Sequence, residues 1–171
     1  MDAIQVLRAN LADAHWLLEQ GVADLSPAHF HWIPPGTANT IAATYAHVIG
    51  SEDSFIQETL LGRGSLASSA WHGRNGISLP LPHRGSDWFA WSRRVKVDLS
   101  AAQSYAAAVY AATDDYLAAL KPEHLDQTPE VPLPAAQSLN WLLGNFIIFH
   151  ASLHTGEIAV LRGLQGLVGL P

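Results

Sequence analysis

Apolar residues recur at three- and four-residue steps over four long stretches of this chain, the period of amphipathic helices. Ile4, Leu7, Leu11, Ala14, His15, Leu18 and Val22 mark the first, which is predicted to end near Gly21. Thr37-Ala38-Asn39-Thr40 supplies N-cap residues for a second helix over 41–61, with Ile41, Tyr45, Val48, Phe55, Ile56 and Thr59 as its bulky stripe and Gly62 as its stop. The Ala-rich stretch 99–120 is the third, closed by Lys121-Pro122. A fourth runs from about 135 or 138 to 164, and places Leu139, Leu143, Phe146, His150, Leu153, His154, Glu157 and Leu161 on one face.

Between these stretches the chain carries breakers. Prolines at 27, 34 and 35 forbid a continuing helix in the first connector, where His29 and His31 read as surface residues. Residues 63–85 turn to Gly, Ser and Pro, with Trp71, His72, Arg74, His83 and Arg84 scattered among them. A loop of this length in a compact domain is usually functional or poorly ordered, so it is the expected lid of any pocket. Asp87-Trp88-Phe89-Ala90-Trp91 starts a short helix, and 123–134 is a Pro-rich loop in which His124 looks exposed. With no strand pattern and no repeat, the chain predicts an all-α fold, an antiparallel four-helix bundle with a long loop after helix two, in a single domain over 1–171.

Composition narrows the chemistry. A chain of 171 residues that is 49% hydrophobic has enough apolar surface for a core without staples. The absence of cysteine excludes disulfides, thiol nucleophiles and thiolate metal sites, so any metal must be held by imidazole and oxygen. Only nine Lys and Arg against a net charge of −6 leave no basic patch for nucleic acid. Residues 131–156 are uncharged, but Pro132, Pro134, Gly144, Asn140, Asn145 and two histidines argue against a membrane span. Met1-Asp2-Ala3-Ile4 opens with an acid rather than a signal peptide, and the reading is of a soluble cytoplasmic protein.

His150 and His154 lie four residues apart on the expected core face of helix four, a span that one ion can bridge. A buried neutral imidazole needs partners for both nitrogens, which a metal and a second acceptor would supply. With nine histidines in the chain, one such pair is close to what chance provides, so a hydrogen-bonded core pair is an equal reading. His15, on the apolar side of helix one, reads as a lone core histidine and a reserve ligand. His47 lies on a flank of small residues, Thr40, Ala43, Thr44, Ser51 and Ser54. That flank suits either a solvent-exposed ring or a close approach to a metal site.

Three pieces of the sequence resemble the DinB-like (DinB/YfiT) family of metal-binding helical bundles: residues 35–52 with Pro35-Gly36, Asn39, His47 and Glu52, the long loop after helix two, and Phe149-His150-Ala-Ser-Leu-His154-Thr-Gly156-Glu157-Ile158. The resemblance implies that His47, His150 and His154 hold a divalent ion of the Zn, Ni or Fe class. Glu157, in Thr155-Gly156-Glu157 where many members have Arg-Gly-Gln, would be an acceptor for a ligand histidine, an occasional ligand or a catalytic base. Three imidazoles leave such an ion an open position, at which a water or a thiol is made more acidic. Relatives include transferases or isomerases that use a low-molecular-weight thiol, and proteins described as metal-dependent hydrolases. The resemblance thus implies a metal-dependent enzyme acting on a small molecule, with thiol transfer ahead of hydrolysis, in a homodimer. A non-catalytic module that binds a small ligand, and a purely structural cluster, are the competing readings.

Overall fold

The computed structural model describes residues 2–82, 86–132 and 135–170. His83, Arg84 and Gly85 at the end of the long loop, and the expected break at Pro134, lie outside the described residues. Helix α1 (Ala3–Val22) begins at a capping box in which the Asp2 carboxylate accepts the Gln5 amide and the Gln5 side chain accepts the Asp2 amide. Its predicted stripe is the buried face. A one-turn helix α2 (Pro27–Phe30) interrupts the first connector, because a proline in the first turn forfeits no hydrogen bond and Ser26 caps the turn.

Thr40 caps α3 (Ile41–Asp53), whose rod continues as a π-helical segment, Ser54–Leu60. Asp87 caps the short α4 (Trp88–Arg94), and Asp98 caps α5 (Leu99–Ala118). Ser138 caps α6 (Leu139–Leu143), which runs through a second π-helical segment, Gly144–Phe149, into α7 (His150–Gly163). The predicted long helices are therefore present, two of them with a wider turn inside. Among the described residues there is no strand, only an isolated bridge between Ile77 and Val97.

α1 packs on α5 and α7, and α3 packs on the same two. Pairing Arg8 with Asp114 and Glu19 with Gln103 makes α1 and α5 antiparallel. Tyr45 with Glu19 and His15 with Glu52 set α3 antiparallel to α1, and Phe55 on Phe146 with His47 on His150 sets α7 antiparallel to α3. It follows that α3 and α5 run the same way, and the long loop is the crossover that returns the chain to permit it.

The buried apolar residues form two clusters. The boundary falls between Leu11 and Ala14 on α1, between Ile49 and Ile56 on the α3 rod, and between Val109 and Leu117 on α5. At that level sit His15, Glu52, Asp53 and Thr113. Glu52, only 2% exposed, accepts the Thr113 hydroxyl at 2.7 Å and lies 2.8 Å from His15 Nε2, while Tyr110 stacks on the His15 ring. Asp53 accepts the Leu66 and Ala67 amides and the Tyr105 hydroxyl, which ties the start of the long loop to α3 and α5. These partners are what allow carboxylates in the interior.

One expectation fails on α7. Leu153, placed by periodicity on the core face, is half exposed, whereas Ala151, Thr155, Ile158 and Leu161 are buried. The π-helical segment resets the angular register before His150, and Leu153 falls on the side that faces away from the core.

Candidate metal centre

His47 leaves α3 one turn before Gly50, and His150 and His154 leave the first two turns of α7, so the antiparallel contact of the two rods brings three rings together. One ligating atom from each lies within 4.8 Å of the others. Nε2 of His47 is 2.9 Å from Nε2 of His150, and the three rings meet edge to face at centroid distances of 4.5–4.9 Å. His47 is half-buried, not exposed. Small residues on its flank let the α7 rings approach, as one of the two sequence readings required.

The electrostatics favour lone pairs over protons. Burial, then the neighbouring rings, lowers the pKa of His47 from 6.5 to about 3. Burial, then His154, lowers that of His150 to about 4. Both are neutral at neutral pH. His154 Nδ1 stands 2.7 Å from Glu157 Oε2, and since a carboxylate only accepts, Nδ1 is the donor and Nε2 is the nitrogen left for a ligand. Ser51 Oγ lies 3.3 Å from His47 Nδ1, and the His47 and Trp88 rings meet edge to face with centroids 4.7 Å apart.

This donor set fits a divalent ion. Nitrogens bound tetrahedrally to zinc at about 2.0–2.1 Å stand about 3.3 Å apart, so the His47 and His150 pair at 2.9 Å has to open slightly and the wider separations, up to 4.8 Å, have to contract. Among the described residues, Thr44, one turn before His47, also holds a buried hydroxyl with no hydrogen-bond partner.

The other candidates go elsewhere. His15 is the expected core histidine, paired with Glu52. His31 accepts the Val97 amide through Nε2 and so helps fix the start of α5, a role its surface reading missed. His124 accepts the Lys121 amide in a local turn. His72 lines a cavity of about 1180 Å³ together with Gly50, Ser54, Glu58 and Tyr105, beneath the long loop. None of the three clustered histidines lines it, so the loop covers this space rather than the imidazoles. Leu81 packs directly on Gly50, where any Cβ would collide with it. Trp88 and Asp53 were not foreseen. Asp53 left one signal, a second acid beside Glu52 in an apolar helix, and Trp88 left none.

The fold and the cluster define a class: helical rods that hold three convergent histidines between them. The DinB superfamily model matches residues 10–158, all three histidines included, and the chain belongs to that superfamily. The crystal structure of a conserved protein from Enterococcus faecalis is similar over 96% of this chain and 97% of that one, with a TM-score of 0.80 at 23% identity, which shows a shared fold. No curated protein matches the chain. No helix among the described residues is long and apolar enough to cross a membrane.

Proposed function

We propose that this protein is a metal-dependent enzyme that transfers a low-molecular-weight thiol to or from a small-molecule substrate, with His47, His150 and His154 as the ligands of one divalent ion. The observation that carries this reading is the convergence of three imidazoles from two rods, with no acid or thiolate among the three. When bound, the ion supplies Lewis acidity at an open position.

The chain's own residues do the rest. His47 and His150, held neutral by burial, present nitrogens at neutral pH without a proton to displace. Glu157 would fix the tautomer and orientation of His154 and raise the basicity of its ligating nitrogen. Trp88, in edge-to-face contact with the His47 ring, limits water on that side. Because the chain has no cysteine, sulfur chemistry here draws on an external thiol.

Hydrolysis would use the same residues with water in place of the thiol, and a binding module would use them without turnover. The test is elemental analysis of untagged protein, followed by assays with and without chelator. About one divalent ion per chain is expected, lost in His150→Ala and kept in His72→Ala and His124→Ala. Thiol conjugation that stops with chelator supports transfer. Chelator-sensitive cleavage without thiol supports hydrolysis, and tight binding without conversion supports the module. Less than a tenth of an ion per chain refutes the centre.

A further inference from the structure

The cavity of about 1180 Å³ beneath the long loop has a roof that is fastened in three places. At one foot, Asp53 accepts the Leu66 and Ala67 amides. At the other, the Gly76 carbonyl accepts the Asp98 amide, the Lys96 carbonyl accepts the Ser78 amide, and the Ser78 hydroxyl accepts the Lys96 amide. Gly76, at a φ of 74°, lies so close to the start of α5 that a Cβ would stand 2.7 Å from the Ala102 nitrogen and the Asp98 carbonyl. Gly50 is the α3 residue of the wall nearest in sequence to His47, and Leu81 packed on it closes that end. A loop tied down at three points around a space it does not fill leaves a preformed pocket, just above the roughly 300–1,000 Å³ typical of small-molecule sites.

Its walls are apolar at Ile77, Leu79, Leu81 and Val97, and its buried ionisable groups are Asp53, 1% exposed, and the Tyr105 hydroxyl that donates to it. Burial, then Asp53, Glu52 and Glu58, push that hydroxyl well above its ordinary pKa, so every charge that acts on it is negative. Glu58 and Asp98 also line the space. Glu58 takes the Ser54 hydroxyl on Oε2 and Asp98 the Ala101 amide on Oδ1, and the other oxygen of each has no partner among the described residues. Among those residues no lysine, arginine or histidine pairs with any of the three acids. Lys96 and His72 line the cavity too, but both are exposed.

We infer that this cavity is a binding site for a small organic cation, an amine carried on an apolar body, separate from the histidine cluster. The apolar walls take the body, and the carboxylates that no protein cation neutralises take the ammonium, which donates to their free oxygens. An anion would meet Asp53, Glu58 and Asp98, with only exposed Lys96 and His72 to draw it. The site does not depend on the metal centre.

Calorimetric titration with three probes of nearly one shape separates charge from apolar fit: phenethylamine, phenylethyl alcohol and hydrocinnamate. Protonated phenethylamine should bind with a Kd of roughly a millimolar or tighter, the alcohol about tenfold more weakly, and the carboxylate not at all. Glu58→Gln, at an exposed side chain, should leave the thermal midpoint unchanged and weaken the amine about three- to fivefold, as loss of a solvated ion pair does. Lys96→Met should not weaken it. Chelator and His150→Ala should leave amine binding unchanged, whatever they do to metal content. Equal affinity for amine and alcohol, preference for the carboxylate, loss of amine binding in Lys96→Met, or no effect of Glu58→Gln would overturn the inference. So would the absence of any amine binding at millimolar concentration, and so would its loss with chelator, which would place the ligand on the metal.

Discussion

Acidification should destabilise the metal-free protein through His47 and His150, and the structure sets the size of the effect. An unfolded imidazole titrates near 6.5, whereas these two titrate near 3 and 4 in the fold because burial and neighbouring rings oppose their charge. Between those values the unfolded chain binds more protons than the folded one. Stability is therefore fully present above pH 6.5 and falls as pH drops towards 4. At pH 5.5 each unfolded ring carries about 0.9 proton and each folded ring almost none, so the pair gives a slope of about 2.5 kcal/mol per pH unit. From pH 6.5 to 5 the loss is about 3 kcal/mol, and solvent reaching these partly exposed rings reduces it to about half. Urea unfolding of chelator-treated protein at closely spaced pH values measures this directly. His150→Gln should remove about half of the slope, since it deletes one ring and leaves burial, the larger cause, holding His47 neutral. An identical slope between pH 5 and 6.5 in wild type and in the double variant His47→Gln/His150→Gln would show that these rings do not titrate as their surroundings require.

Glu157→Gln should weaken divalent-metal affinity about 10–100-fold in calorimetric titration, because an amide orients the His154 ring less firmly than a carboxylate. Its effect on urea unfolding should stay within about 0.5 kcal/mol, the side chain being half exposed. Glu52→Leu should cost about 3 kcal/mol or more, since it strands the buried His15 nitrogen and the Thr113 hydroxyl. Combining it with His15→Leu and Thr113→Val should recover part of that loss in the same assay. Tyr105→Phe should cost about 1.5–3 kcal/mol and speed hydrogen exchange at the Leu66 and Ala67 amides, which share its acceptor, Asp53.

The sequence by itself determined the helices and much of their facing. Period and caps are local: Asp2, Thr40, Asp98 and Ser138 each hydrogen-bond an amide three residues on, so α1, α3, α5 and the α6 rod begin where the pattern says. The pairing of His150 with His154 was legible for the same reason, being one turn of one helix. The choice between a metal cluster and core histidines was not, because it turns on a ring a hundred residues away. Helical spacing left His47 on a flank that could have faced solvent. Only the antiparallel seating of α3 on α7 turned it towards the pair.

Tertiary structure also decided what periodicity misplaced or could not weigh. The wider turns at Ser54–Leu60 and Gly144–Phe149 face each other across the Phe55–Phe146 stack, and they shift the register of everything beyond them. Leu153 went outward as a result. The buried acids Glu52 and Asp53 were charged residues in an apolar helix until donors from α1, α5 and the long loop were brought to them. A side chain's periodicity is written within a few residues of it, whereas its partners across the fold are supplied by segments that meet only when the rods pack.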